Sequence, residues 1–163
     1  MKIRHRAIGL AAVLLLTGTS TAAMATPASA TAWAHISNLA YRQCIEVPGS
    51  QVNVVLRIAP CRASDAQLWT GVPTPDGRIF LVNKLTGYCA EVNQGTSVPG
   101  ERVDAWYCNG TLAEQWIRAF RIGGLSFINA GSRLCLDTVA GGGSDLMQWY
   151  CDPNNRAQIW AAA

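Results

Sequence analysis

The chain has 163 residues, 13 basic and 10 acidic side chains, a formal charge of +3 and six cysteines. Lys2, Arg4 and Arg6 carry the whole excess, so that ten basic and ten acidic side chains remain beyond residue 30. A neutral body without Lys/Arg runs argues against nucleic acid and anionic membrane as partners, and about 130 residues supply one core rather than two.

Residues 1–30 read as a secretory leader. The basic start precedes an apolar run, Ala7 to Leu16, that is too short to span a bilayer. Ala-x-Ala signals follow at Ala23-Met24-Ala25 and Ala28-Ser29-Ala30, and cleavage is expected after Ala30, with Ala25 the alternative. No second apolar stretch appears, so a soluble, secreted, free-standing domain over 31–163 is expected, with no membrane insertion. Export would place all six cysteines in an oxidising compartment.

From residue 33 onward the chain repeats itself. A Cys, a second Cys and a Trp recur as Cys44/Cys61/Trp69, Cys89/Cys108/Trp116 and Cys135/Cys151/Trp160, with leading cysteines 45 and 46 residues apart. Units of this length cannot bury an apolar face alone, so three of them, at about 33–76, 77–122 and 123–161, must pack together. Six cysteines allow 15 pairings, and the repeat selects 44–61, 89–108 and 135–151. Each closed loop is worth roughly 3 kcal/mol in the chain-entropy model. No Cys-x-x-Cys occurs and only His35 lies beyond the leader, so neither a metal nor a cofactor is expected.

In the first unit Ile36 and Asn38 lie eight and six residues before the leading Cys, as do Leu81 and Asn83 in the second and Phe127 and Asn129 in the third. Each Asn is expected to secure a short turn through its side-chain amide. Turn signals follow at Pro48-Gly49, Asp76-Gly77, Asn93-Gln94-Gly95, Gly123-Gly124 and Gly141-Gly142-Gly143. Short strands between such turns, with no long 3.6-residue period, predict a closed all-β domain with helix limited to single turns, as at Thr111 to Gln115.

The stretches Gln67-Leu68-Trp69, Glu114-Gln115-Trp116 and Gln158-Ile159-Trp160 resemble the Gln-x-Trp repeats of the ricin B-chain type lectin family. Cys135-Leu136-Asp137 and Trp149-Tyr150-Cys151 are similar to that family as well. The resemblance covers about residues 33 to 161. It implies a β-trefoil, twelve strands about a pseudo-threefold axis with Trp69, Trp116 and Trp160 in a shared core, and carbohydrate as the partner.

Suppose each disulfide joins opposed positions on two antiparallel strands. Then Glu46 faces Ala59, Glu91 faces Trp106 and Asp137 faces Trp149, with Pro48/Arg57, Asn93/Asp104 and Val139/Met147 next along. A carboxylate beside an indole suits a pyranose, since the one accepts hydroxyl hydrogen bonds and the other offers an apolar face. Family members use this pairing for galactose-type sugars, with a Gln four before the second Cys and an Asn-Gln leading into the Trp motif.

Against that pattern the third copy keeps Asp137, Trp149 and Gln158, loses the Gln to Met147 and the Asn to Ala157, and has Gln148, Asn154 and Asn155 nearby. The second keeps Trp106 but carries Glu91, Asp104 and Glu114; the first has Glu46 and Gln67 but lacks the aromatic. Sugar contact is therefore expected mainly from Asp137, Trp149, Gln158, Gln148 and Asn155, with Glu91 and Trp106 second. Catalysis is not expected, for want of an activated acid–base group. The competing reading is a degenerate trefoil that serves as a scaffold for a protein partner.

Overall fold

The computed structural model describes residues 32–139 and 143–162; the expected leader and the Gly141-Gly142 part of the last turn signal lie outside the described residues. The first repeat forms β1 (Ala34–Asn38), β2 (Cys44–Glu46), a two-residue β3 (Val54–Val55), β4 (Arg57–Ala59) and β5 (Leu68–Pro73). The second forms β6 (Ile79–Asn83), β7 (Cys89–Val92), β8 (Val103–Trp106) and β9 (Gln115–Arg121). The third forms β10 (Gly124–Asn129), β11 (Cys135–Thr138), β12 (Leu146–Trp149) and β13 (Trp160–Ala162). Among the described residues, helix is confined to three-residue 3-10 turns at Asp65–Gln67, Asn93–Gly95, Leu112–Glu114 and Arg156–Gln158.

Pairing closes a six-stranded ring, β1 to β5 to β6 to β9 to β10 to β13 and back to β1, all antiparallel. Closure leaves that barrel no unpaired edge. The outer hairpins β2/β4, β7/β8 and β11/β12 hang from the ring through β1, β6 and β10. This is the β-trefoil that the resemblance implied, built from the three all-β units that the repeat spacing predicted.

The three motif tryptophans fill the barrel because each indole N–H finds a carbonyl at the matching place. Trp69 donates to Ile45 O at 3.0 Å, Trp116 to Ala90 O at 2.9 Å and Trp160 to Leu136 O at 3.2 Å. A buried Trp without that partner would carry an unsatisfied donor; truncating one costs about 3–5 kcal/mol. Gly124 answers the same packing, since a Cβ there would run into the Trp160 carbonyl. At the cap, Leu56, Val103 and Leu146 are fully buried at equivalent positions. Leu56 N–H donates to Val103 O at 2.9 Å and Leu146 N–H to Leu56 O at 2.8 Å, tying the hairpins to one another.

The repeated Asn acts as expected and does more. Asn38 Oδ1 accepts from the N–H of Ala40 and Tyr41, and Asn83 and Asn129 close their own turns in the same way. Each amide then donates to an Ala carbonyl in the preceding repeat's 3-10 turn: Asn38 to Ala157 at 2.7 Å, Asn83 to Ala66 at 3.0 Å and Asn129 to Ala113 at 2.7 Å. One residue type thus shapes the turn and staples the repeats into a ring. All six cysteines pair as the repeat selected, 44–61, 89–108 and 135–151, with Cα–Cα distances of 5.0, 5.1 and 5.0 Å.

Candidate functional site

The register of the outer hairpins corrects the expected facing pairs. Cys44 lies opposite Ala59, Cys89 opposite Trp106 and Cys135 opposite Trp149. The carboxylates therefore face the next positions along: Glu46 meets Arg57, Glu91 meets Asp104 and Asp137 meets Met147. The disulfides do not join opposed strand positions, because Cys61, Cys108 and Cys151 sit two residues past the ends of β4, β8 and β12. A slip of two residues preserves the face, so each indole stays beside its carboxylate as a diagonal neighbour.

In the third repeat a cleft of about 500 Å³ is lined by Asp137, Thr138, Val139, Met147, Trp149, Asn155, Ala157 and, from the first repeat, Tyr41. Asp137 Oδ2 accepts from Gln158 Nε2 at 2.7 Å and Asn155 Nδ2 at 3.1 Å, and Oδ1 from Thr138 N–H at 2.7 Å. Burial raises the carboxyl above its ordinary value, and these three hydrogen bonds oppose the rise. Trp149 is 42% exposed at the end of β12. The backbone of Gly100 packs on its ring, where an added Cβ would lie 3.3 Å from Cζ3.

Gln158 and Gln148 are not brought to this cleft. Gln158 is buried and holds Asp137 from behind, with Asp152 N–H donating to its Oε1 at 2.8 Å. Gln148 is buried on the other face of β12; it donates to Thr96 O at 2.9 Å and Val98 O at 3.0 Å and accepts from Ser132 Oγ at 2.6 Å. Its equivalents are Ile58 and Ala105, both core residues, so strand alternation already pointed it inward. Asn154 lines a different depression, beside Phe120 and Ile122. Asn155 does reach Asp137 and caps the 3-10 turn by accepting from Ala157 N–H at 3.0 Å. It supplies from two residues upstream the amide that Ala157 lacks.

In the first repeat a depression of about 450 Å³ remains, lined by Arg57, Ala59 and Arg62, but its carboxylate, Glu46, is buried beneath these cations. Arg57 contacts Glu46 Oε1 at 2.7 Å, Arg62 contacts Oε2 at 2.5 Å and Gln67 Nε2 donates to Oε2 at 2.8 Å. Burial would raise the Glu46 carboxyl, but Arg57, Gln67 and Arg62 together hold it below its ordinary value. With Ala59 in place of an indole, this copy offers a sugar neither group.

The second cleft, about 240 Å³, is lined by Asn53, Glu91, Asn93, Gln94, Asp104 and Trp106. Glu114 stands where the other copies have Gln67 and Gln158, and its carboxylate accepts from Asn109 and Gly110 N–H. It has no amide to offer Glu91. Burial, then the charges of Glu114 and Asp104, push the Glu91 carboxyl up to about 7. Tyr41 is a residue of the third cleft that the comparison of motifs did not single out. It reaches the third cleft from another repeat, so no alignment of the copies would have found it.

Among the described residues no group of three or more His, Cys, Asp or Glu is placed to hold a metal ion, and no helix is long and apolar enough to cross a membrane. A search of curated protein sequences returned no significant match. The fold is similar to the designed threefold-symmetric protein ThreeFoil, at 18% identity and a TM-score of 0.75, covering 80% of this chain and 97% of that one. It is similar to an exo-β-1,3-galactanase from Clostridium thermocellum at 18% identity and a TM-score of 0.75, covering 84% of this chain and 30% of that one. It is also similar to the hemolytic lectin CEL-III at 23% identity and a TM-score of 0.67, covering 80% of this chain and 30% of that one. The model of the ricin-type β-trefoil lectin domain, a family of carbohydrate-binding domains, matches residues 32–160, and the chain belongs to that family.

Proposed function

We propose that the protein is a secreted lectin that takes a galactose-type sugar of a glycan or polysaccharide into the third-repeat cleft. The observation that carries this is the Asp137 carboxylate beside the exposed indole of Trp149, in the copy that neither fills its cleft with arginine nor crowds it with acid. A carboxylate offers about four acceptor positions, and three are taken by Thr138, Gln158 and Asn155. One remains for a sugar hydroxyl. The second amide hydrogen of Asn155 is left to donate to a neighbouring hydroxyl, and Trp149 offers the apolar face of the pyranose its counterpart. The three disulfides fit export to an oxidising compartment. An exo-β-1,3-galactanase that contains a domain of this fold lends weight to a galactose-type ligand.

We read the chain as a binding module rather than an enzyme. His35, the one histidine beyond the leader, has Nε2 3.0 Å from the Arg62 carbonyl oxygen and lines none of the three clefts. One shallow cleft binds a monosaccharide weakly, so retention on a dense polysaccharide comes from rebinding. The test is a glycan array of the oxidised chain beside its Asp137→Ala/Trp149→Ala variant. Selective binding lost in the variant supports the assignment. Binding that the variant retains moves the site elsewhere, and binding by neither chain turns the search to protein partners.

A further inference from the structure

We propose that the second-repeat cleft binds a protonated amino sugar, a 2-amino-2-deoxyhexose of a de-N-acetylated glycan, with its ammonium between Glu91 and Asp104 and its ring against Trp106. The proposal rests on the carbohydrate-binding reading of the fold, though not on the third cleft. Its first support is Asp104, which is 2% exposed and lines the cleft. Among the described residues its Oδ1 meets no donor, and Oδ2 is reached only by Arg102 Nε across 3.1 Å, without hydrogen-bonding geometry. Glu91 Oε2, on the opposed strand, has no hydrogen-bond partner either. Two carboxylates are thus set face to face with acceptor capacity unused, and a buried carboxylate oxygen left without a partner is costly.

The first repeat shows what this cradle holds. At the position of Asp104 it has Arg57, whose guanidinium binds Glu46 at 2.7 Å. The same backbone therefore seats a cation against the β-strand carboxylate. In the second repeat that cation is replaced by a second anion. Arg102 stands 3.1 Å from Asp104 at the edge of the cleft and lines none of it, and among the described residues no ion pair reaches Glu91. An external ammonium supplies the missing charge, and its three N–H groups match acceptors on Glu91 and Asp104. The choice of an amino sugar over a bare amine follows from the walls. Trp106 offers an apolar face and a cation–π contribution, and Gln94 and the amide nitrogen of Asn53 offer donors at the rim, Asn93 being engaged by Glu101 and Arg102.

Binding would be linked to protons. The charged groups around Glu91 are Asp104 across the hairpin, Glu114 in the following 3-10 turn, Arg102 beside Asp104 and Glu101, whose carboxylate accepts from Asn93 Nδ2 at 3.1 Å. An ammonium between Glu91 and Asp104 favours the ionised form of Glu91, so it displaces the proton held there. Affinity should rise from pH 5.5 to pH 7.5, provided the amine stays protonated.

The experiment follows the Trp106 and Trp149 indole N–H signals by NMR. The oxidised chain is titrated with glucosamine, galactosamine, their N-acetyl counterparts, galactose and Nα-acetyl-lysine amide. The expected result is a Trp106 shift with the amino sugars, about tenfold tighter than with the N-acetyl forms and stronger at pH 7.5 than at 5.5. Asp104→Asn and, independently, Glu91→Gln should abolish that preference, with the indole signals of Trp69, Trp116 and Trp160 reporting an intact fold. Equal binding of N-acetyl forms, an equal response to the lysine derivative or a silent Trp106 would each overturn the proposal. Galactose shifting Trp149 while amino sugars leave Trp106 unmoved defeats this proposal alone. The reverse pattern defeats only the third-cleft assignment.

Discussion

The first and second clefts are built on the same strand pair, and one position decides what each contains. Opposite the carboxylate of the leading strand, the first repeat places Arg57 and the second Asp104. Glu46 is thereby held below its ordinary value by Arg57, Gln67 and Arg62 against the pull of burial, whereas Glu91 is pushed up to about 7. A second exchange deepens the contrast: Gln67 donates an amide hydrogen to Glu46, and Glu114 has none to give Glu91. The trefoil thus tolerates a wide range of charge at its clefts, because the Trp core and the Asn staples that hold the fold lie elsewhere.

The comparison breaks most severely if the second cleft's chemistry is written into the first. Arg57→Asp removes two hydrogen bonds from Glu46 and sets a second carboxylate opposite it, leaving Arg62 as its one cation. The expected cost is about 3 kcal/mol, or roughly 10 °C in Tm for a domain of this size. Thermal denaturation at pH 7 with the disulfides intact measures it, and an unchanged Tm would mean that the ion pair contributes nothing to folding.

How far the sequence carried these conclusions depends on what kind of contact was being read. The Asn turns, the Trp positions and the disulfide partners repeat three times, so local geometry and the count of copies sufficed to place them. The cross-strand offset was not legible, because cysteine spacing alone does not say that Cys61, Cys108 and Cys151 lie beyond their strands. That offset changed which residue faces each carboxylate, and with it the meaning of Arg57, Asp104 and Met147. Gln148 was misread although alternation along β12 already turned it away from Trp149. Asn155 was legible as an amide close to Ala157 in the chain, and it does reach Asp137, whereas Tyr41 reaches the third cleft from another repeat, which no comparison of aligned copies reveals.

A smaller effect sharpens the same contrast through pH. Glu91 has a folded value of about 7 against an ordinary 4.5, so the folded chain keeps a proton that the unfolded chain releases. Its effect on stability is therefore absent below pH 4.5 and becomes a full penalty as pH rises through 7. Discounted for the partial exposure of Glu91, the penalty is on the order of 2 kcal/mol. Glu46 works in the opposite sense: its contribution is present above its ordinary value and lost as pH falls. Glu91→Gln should accordingly match the parent chain at pH 4.5 and be more stable at pH 8, as read by chemical denaturation at both. A variant with the same advantage at both pH values would show that Glu91 does not ionise across this window.

The smallest expected effect tests whether the three copies are equivalent in backbone as well as in charge. Arg42, Gly87 and Arg133 stand two residues before their leading cysteines with φ of 59°, 71° and 67°. Each donates its N–H to the turn Asn, to Asn38 O at 2.9 Å, Asn83 O at 2.9 Å and Asn129 O at 3.0 Å. Only the second copy uses the residue that enters this left-handed region without steric cost. Replacing Arg133 by Gly relieves about 1 kcal/mol of backbone strain, and the greater freedom of Gly in the unfolded chain returns about half of it. A net gain of about 0.5 kcal/mol is expected from Arg133→Gly, and a loss of similar size or larger from Gly87→Ala. The two substitutions should move Tm in opposite directions. If both lower it, the guanidinium of Arg133 makes a contribution that offsets its strained backbone, and the third turn is not interchangeable with the second.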